Sequence, residues 1–226
     1  MKILALDTAL GACSAAVLDD NELLAHRFEL MERGHAERIA PMVREVMQEA
    51  QLDFANIDRI AVTIGPGTFT GQRVGYAFAR GLRLALKRPL IGLTTLAAMA
   101  EAALVETGAP GAVVLHDAKR GEIYALATIE GTIVLPVQLS TIDEALRAIR
   151  EQPESLRAPL AFAGTAGALA AQKWRELGYR AVETTIRAPD AMWVGRLART
   201  QPEPASLPRP LYLRAPDARL PGGGAG

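Results

Sequence analysis

GPGTFTGQRVG, residues 65 to 75, places four glycines in eleven positions directly after the apolar run IAVTI at 60 to 64. The run predicts a buried strand, and the stretch FTGQRVGYAFARGLRLAL predicts a helix that ends before Pro89. A strand-to-helix turn of this kind has free backbone N–H groups that could hold an anion. It could also serve packing, because glycine lets two backbones approach closely. We favour packing, since Gly71, Gly75 and Ala79 recur every four residues and line one helical face without bulk.

The loop departs from three common glycine-rich motifs. A Walker A loop needs a lysine after its closing glycine, where this chain has Gln72. The dinucleotide-binding fingerprint needs a third glycine where this chain has Thr70, and a nucleophile elbow needs a serine where Phe69 stands. The loop therefore gives no indication of an ordinary nucleotide-binding or serine hydrolase site.

The composition indicates a globular protein of the cytoplasm. The 226 residues are half hydrophobic, and 25 basic residues balance 25 acidic ones, so no overall basic field favours nucleic acid. The single cysteine, Cys13, suits a reducing compartment. The first apolar run is soon interrupted by Asp7, which argues against a signal peptide, and no stretch is long enough to suggest a membrane span.

The order of the apolar runs and helical periodicities predicts the fold. Three apolar runs before residue 30 predict a strand meander, a helix follows from Ala36 to Ala50, and the strand and helix around the glycine loop come next. After residue 109 the same order begins again. Two copies of a β-β-β-α-β-α unit predict an α/β protein with the actin-like ATPase or ribonuclease-H-like fold, whose two lobes each have a mixed β-sheet covered by helices. The predicted lobes are 1–108 and the smaller 109–188, with 189–215 returning to the first and 216–226 as a disordered tail.

Five segments resemble the TsaB family, also called YeaZ, over nearly the whole chain. They are ALDTALGACSAAV at 5–17, GHAERIAPMV at 34–43, GPGTFTGQRVGYAFARGL at 65–82, HDAKRGEIY at 116–124 and RPLYLRAPDA at 209–218. The glycine-rich segment is the most specific of them. It differs from the usual family pattern in having Gln72 in place of leucine and Thr68 in place of serine.

The resemblance implies a role in making threonylcarbamoyladenosine next to the anticodon of tRNAs that read codons beginning with adenine. In that pathway the catalytic subunit is a paralogue, TsaD, which TsaB-like proteins bind and support, and the ATPase TsaE joins the complex. The chain is therefore expected to be a non-catalytic accessory subunit without a cofactor. We expect it to bind a TsaD-like protein, to contact tRNA only indirectly and to be able to form a homodimer.

A metal site is not expected in this chain. The TsaD-like proteins that this family resembles bind a metal through a His-x-x-x-His pair. In this chain the residue four positions after His35 is Ile39, so the second histidine of such a pair is missing. His26 and His116 lie in predicted strands, without the further ligands that a metal site needs.

A degenerate nucleotide cleft is predicted between the lobes. Asp7 and Thr8 end the first strand, where nucleotide-binding actin-like proteins place an aspartate near Mg²⁺ and phosphate, and Asp117 is the corresponding acid of the second half. Gly164 and Thr165 lie in a turn that could serve the adenosine side. Two such carboxylates could support metal-assisted phosphoryl chemistry. The apolar residues after Thr8 favour a cleft that has lost this capacity.

A partner interface is predicted on the two helices that flank the glycine loop. Methionine and valine side chains on the first helix and small residues on the second suggest a four-helix contact with a TsaD-like protein or a second copy of the chain. The predicted interface residues are Ile39, Met42, Val43, Val46, Met47, Gly71, Val74, Gly75, Phe78, Ala79 and Leu82.

The second of these helices is strongly basic. No acidic residue occurs between Pro66 and Ala100, whereas the helix and its end contain Arg73, Arg80, Arg83, Lys87 and Arg88. The last three could complement the helix dipole. They could also form a surface for an acidic protein or an RNA backbone, and the balanced total charge favours a protein.

Two other functions stay open. The chain could be a stand-alone actin-like kinase or a glycoprotease-like enzyme, but it has little room for the substrate-binding insertions of such kinases, and it shows neither a second metal-binding histidine nor a Ser-His-Asp arrangement. It could also be a self-associating regulatory module that acts as a homodimer without TsaD. The same helix face would serve either dimer.

Overall fold

A computed structural model describes residues 1–152 and 158–214 of the chain. The first sheet has the order β3-β2-β1-β4-β5. Its strands are β1 (Lys2–Asp7), β2 (Ala12–Asp19), β3 (Glu22–Leu30), β4 (Arg59–Thr63) and β5 (Leu90–Leu93). The first three strands are antiparallel neighbours, whereas β4 pairs in parallel with both β1 and β5.

The second sheet repeats this plan in the order β8-β7-β6-β9-β10. Its strands are β6 (Gly111–Asp117), β7 (Ile123–Ile129), β8 (Thr132–Ser140), β9 (Leu160–Ala163) and β10 (Ala181–Glu183). The antiparallel and parallel pairings also match those of the first sheet. Two mixed sheets with one shared strand order confirm the predicted two-lobed, actin-like fold class.

Six α-helices cover the sheets in the described residues. They are α1 (His35–Glu49), α2 (Phe69–Leu86), α3 (Thr95–Thr107), α4 (Ile142–Arg150), α5 (Gly167–Glu176) and α6 (Ala191–Thr200). Helices α1 and α2 pack on one face of the first sheet, and α4 and α5 pack on one face of the second. In the part of the chain that the structure describes, no helix is long and apolar enough to pass through a lipid bilayer.

Helix α3 lies between the two sheets. Ala98 and Ala102 belong to the apolar cluster of the first sheet, whereas Leu96, Met99 and Ala103 belong to that of the second. Small and apolar residues on several sides of α3 therefore let both lobes pack against one helix.

Helix α6 follows the second lobe in sequence but packs on the first sheet. Val194 and Ala198 are buried there, and a Cβ atom at Gly195 would lie 2.3 Å from a methyl group of Leu18. The predicted lobe boundaries stay a prediction, and the predicted disordered tail at 216–226 lies outside the described residues.

Candidate interlobe cleft and partner surface

The glycine loop connects β4 to the start of α2. The helix is capped by Thr68, whose hydroxyl accepts a hydrogen bond from the backbone N–H of Gly71 at 3.1 Å. The backbone N–H of Thr68 itself donates to the carbonyl of Ala9 at 2.8 Å, so the loop lies directly on the turn between β1 and β2.

The glycines are required because the β1–β2 turn passes so close to them. A Cβ atom added at Gly67 would lie 2.2 Å from the carbonyl oxygen of Ala9, and one at Gly71 would lie 2.2 Å from that of Thr8. At Gly75 it would lie 2.5 Å from the hydroxyl oxygen of Thr8, which donates to the carbonyl of Gly71 at 2.7 Å. Close packing is thus confirmed as a purpose of the loop. The element that approaches is a strand turn of the same chain, not a helix of a partner.

The predicted apolar interface lies inside the first lobe, and the prediction of an external stripe is wrong. On α1, five predicted residues are each at most 2% exposed and pack in the core against the first sheet, namely Ile39, Met42, Val43, Val46 and Met47. On α2, Gly71, Gly75 and Ala79 are buried, and Val74, Phe78 and Leu82 pack against the same core. The physical reason is that one sheet face is wide enough to cover the apolar sides of both helices.

The exposed sides of α1 and α2 present small residues. Ala36 and Ala40 are exposed on α1, and Ala77 and Gly81 are exposed on α2. Leu84 beside them exposes 68% of its surface, and a Cβ atom at Gly81 would meet nothing within 4 Å. The sequence pattern did not distinguish Ala77 and Gly81, because they repeat the four-residue spacing of the buried Gly71 and Gly75, about 120° around the helix from them. We call these exposed residues of the two helices the small-residue face: Ala36, Ala40, Ala77, Gly81 and Leu84.

A cleft of about 880 Å³ lies between the lobes. Leu10, Phe69 and Gln72 of the first lobe face Asp117 and Thr165 of the second, with Tyr212 from the C-terminal segment also in the wall. The backbone N–H of Asp117 donates to the hydroxyl of Thr165 at 2.9 Å. Hydrogen bonds from Lys119 hold the pKa of the Asp117 carboxyl below its ordinary value, so this acid is charged in the cleft.

Of the five residues predicted for this cleft, only Asp117 and Thr165 are in its lining. Asp7 and Thr8 are fully buried in the first lobe. Gly164 lies against the second-lobe backbone, since a Cβ atom there would be 2.2 Å from the carbonyl oxygen of Leu115. The two carboxylates of the predicted pair therefore lie in different environments, because the loop and α2 cover the end of β1.

Asp7 is sealed within the first lobe. One carboxyl oxygen accepts hydrogen bonds from the hydroxyl of Thr63 and from the backbone N–H of Ala9, the latter at 3.2 Å. Among the described residues, the other oxygen has no hydrogen-bond partner. Burial raises the pKa of Asp7 to about 7. A group in this state is poorly suited to hold a divalent cation in an open cleft.

The three histidines lie apart and in different surroundings. A ring nitrogen of His26 lies 2.8 Å from a carboxylate oxygen of Asp190, and one of His35 lies 3.1 Å from the carbonyl oxygen of Leu10. Burial lowers the pKa of His116, in the cleft wall, to about 4. Within 1–152 and 158–214, no three acidic, histidine or cysteine side chains form a group that could hold a metal ion.

Two other features of the cleft were not predicted from the sequence. Gln72 is only 3% exposed. A Cβ atom at Gly65 would lie 2.6 Å from its side-chain oxygen, so the absence of a side chain at Gly65 leaves room for the glutamine. The segment 207–214 crosses from the first lobe to the second. Leu211 donates to the carbonyl of Ile64 at 2.7 Å, and Arg214 forms an ion pair with Glu122. No periodicity in this segment marks these contacts.

Comparison with known proteins gives consistent matches. Residues 28–186 match the model of the TsaD family, described as tRNA N6-adenosine threonylcarbamoyltransferase. The tRNA threonylcarbamoyladenosine biosynthesis protein TsaB of Escherichia coli is 43% identical over 124 residues, which are 55% of this chain and 53% of that protein. The chain thus spans about half the length of the curated relatives that it matches first.

Solved structures match over more of the chain. An uncharacterized protein of Pseudomonas aeruginosa, described as similar to the peptidase YEAZ, has 30% identity and a TM-score of 0.76, covering 94% of this chain and 99% of that one. YeaZ from Pseudomonas aeruginosa also has 30% identity, with a TM-score of 0.67 and coverage of 87% and 90%.

Proposed function

The chain belongs to the TsaB (YeaZ) family, and on that premise we propose that it is a non-catalytic accessory subunit of the machinery that makes threonylcarbamoyladenosine in tRNA. The name of its Escherichia coli relative and the match to the TsaD family model support this assignment. The proposed location is the cytoplasm.

One observation carries the non-catalytic part of the proposal. Asp7, at the end of β1, is fully buried. Asp117, at the corresponding end of β6, lies in the cleft and forms an ion pair with Lys119. A pair of carboxylates that shares one metal ion needs both groups at one open site. The arrangement of Asp7 and Asp117 supports an accessory role over the alternative of a stand-alone kinase or glycoprotease-like enzyme.

The proposed partner is a TsaD-like catalytic paralogue, which binds the small-residue face of α1 and α2. Exposed alanine and glycine let a partner helix approach closely, and Leu84 offers an apolar contact at the edge. A second copy of the chain could occupy the same face in a homodimer. A TsaE-like ATPase is the proposed third component of the complex.

Substitution of Gly81 by leucine tests this surface. A leucine side chain there has open space in the free protein, and leucine favours the helix by up to about 1 kcal/mol relative to glycine, so folding should be retained. In the complex the side chain would hold the partner helix away. We expect at least about a tenfold loss of affinity, equal to about 1.4 kcal/mol, measured by titration calorimetry with the TsaD-like partner.

Ala168→Leu is a matched control, because Ala168 is exposed on α5 of the second lobe. It should leave the affinity unchanged. Size-exclusion chromatography with light scattering, with and without the partner, would distinguish the heterodimer from a homodimer. Unchanged partner affinity in Gly81→Leu would place the contact on another surface and would contradict this part of the proposal.

A further inference from the structure

One side of α2 carries cations without acidic partners. Phe69, Arg73, Arg80, Arg83 and Lys87 fall within about 80° of the helix circumference, at roughly 100° per residue. Among the described residues, no carboxylate forms an ion pair with any of the four cations. From Arg73 to Lys87 they extend over about 20 Å at 1.5 Å per residue. We call these four cations, with Phe69, the basic side of α2.

The C-terminal segment continues this surface. Tyr76 donates a hydrogen bond to the carbonyl of Pro208, and Arg209, next in the chain, is exposed. Arg73 donates to the hydroxyl of Tyr212 at 3.0 Å. No acidic residue occurs from 204 to 214, so the segment adds positive charge without compensating it.

Aromatic rings hold the arginines in place. The guanidinium of Arg73 lies 3.5 Å from the centre of the Phe69 ring, and that of Arg80 lies 5.8 Å from the centre of the Tyr76 ring. A guanidinium stacked on a ring keeps its N–H groups free at its edge, where they can form paired hydrogen bonds to a phosphate. Fixing the side chain in advance also reduces the entropy lost on binding.

We propose that the basic side of α2, with Arg209, binds the phosphate backbone of tRNA directly. This rests on the proposed function, which brings the protein to a tRNA, and it replaces the expectation of an indirect contact. That expectation came from the balanced total charge, but the structure separates cations from acids on this surface. An unpaired row of cations is complementary to a polyanion, and phosphate contacts need no particular base sequence.

The RNA surface and the partner surface occupy different sides of α2. Ala77 and Gly81 lie about 100° around the helix from the centre of the basic side. We therefore expect the two contacts to be compatible, so that a tRNA bound by the catalytic partner can also contact this subunit.

The test is fluorescence anisotropy with a labelled, unmodified transcript of a tRNA that reads codons beginning with adenine, titrated with the protein alone and with its TsaD-like complex. The variant is Arg80→Gln with Lys87→Gln. Among the described residues, neither side chain forms an ion pair or a hydrogen bond, and Arg80 lies over the Tyr76 ring. We expect the variant to bind the tRNA about tenfold more weakly at 0.1 M salt. The slope of the logarithm of the binding constant against the logarithm of the salt concentration should also become shallower, by between about one and two units.

Arg147→Gln with Arg150→Gln is the matched control, because it removes the same charge from exposed positions of α4. It should leave the tRNA affinity within about twofold of the wild type, since a general loss of positive charge acts only weakly at a distance. Equal effects of the two double variants, or no tRNA binding by the wild type, would overturn the proposal.

The experiment also separates this inference from the proposed function. If Arg80→Gln with Lys87→Gln weakens association with the TsaD-like protein in the absence of RNA, the basic side serves a protein and the RNA proposal is wrong. If tRNA binding is lacking but association persists and responds to Gly81→Leu, the accessory role stands without a direct RNA contact.

Discussion

Gly71→Ala is expected to lower the midpoint of thermal unfolding by at least about 2 °C. Alanine in place of glycine within a helix normally stabilises a protein by up to about 1 kcal/mol. Here the added methyl group would lie 2.2 Å from the carbonyl oxygen of Thr8 and 2.6 Å from the capping hydroxyl of Thr68. Since neither the Thr8 backbone nor the Thr68 cap can move freely, overpacking should lower the free energy of unfolding by about 1–3 kcal/mol. In a protein of this size each kcal/mol corresponds to a shift of about 2–4 °C in the unfolding midpoint.

Gly81→Ala is the matched control for this substitution. Both glycines lie in α2, but a Cβ atom at Gly81 meets nothing within 4 Å. The control should unfold at the same temperature as the wild type or slightly above it, because only the helix propensity changes. Differential scanning calorimetry of the two variants measures the contrast. Equal midpoints would show that the contact between α2 and the β1–β2 turn is not close enough to require glycine.

Asp7→Asn is expected to stabilise the protein above neutral pH. The folded-state pKa of about 7 lies above the ordinary value of 3.8, so folding favours the protonated carboxyl. The wild type therefore loses stability as the pH rises from about 4 to about 7, and the loss is then constant. One pKa unit corresponds to about 1.4 kcal/mol, so the neutral amide should gain a few kcal/mol above pH 7. Its oxygen can still accept from Thr63.

The measurement is thermal or urea unfolding of the wild type and Asp7→Asn between pH 3 and pH 9. The free energies of unfolding of the two proteins should be nearly equal at pH 3, and the difference between them should grow up to about pH 7. Asp117→Asn is the control, because its carboxyl is exposed and its pKa is lowered rather than raised. A stability difference for Asp7→Asn that does not vary with pH would show that the buried carboxyl does not titrate in this range.

The sequence was sufficient to predict most of the fold, because its periodic patterns are strong and alternate regularly. The helix after the glycine loop was predicted at the residues that α2 occupies. The three strands with which each lobe begins were also predicted. Strands β5 and β10 were missed because they have only four and three residues. Such short apolar runs carry no period that distinguishes a strand from a connection.

The candidate surfaces were harder to predict. The stripe that includes Met42 and Val46 is apolar, but an apolar pattern shows only that a face is covered and not what covers it. The contact between Thr8 and Gly71 joins residues 63 positions apart, and it depends on how β1 and β4 pair. The crossing segment 207–214 has neither helical nor strand periodicity, so its contacts with both lobes could be found only in three dimensions.

Reconstitution of tRNA modification from purified components tests the accessory role most directly. The full set of proposed partners is incubated with unmodified tRNA, with and without this protein, and threonylcarbamoyladenosine is quantified by mass spectrometry of the digested tRNA. We expect the wild type to raise product formation at least about tenfold, and Gly81→Leu to lose most of this increase because it binds the partner more weakly. Equal product formation without the protein would contradict an accessory role.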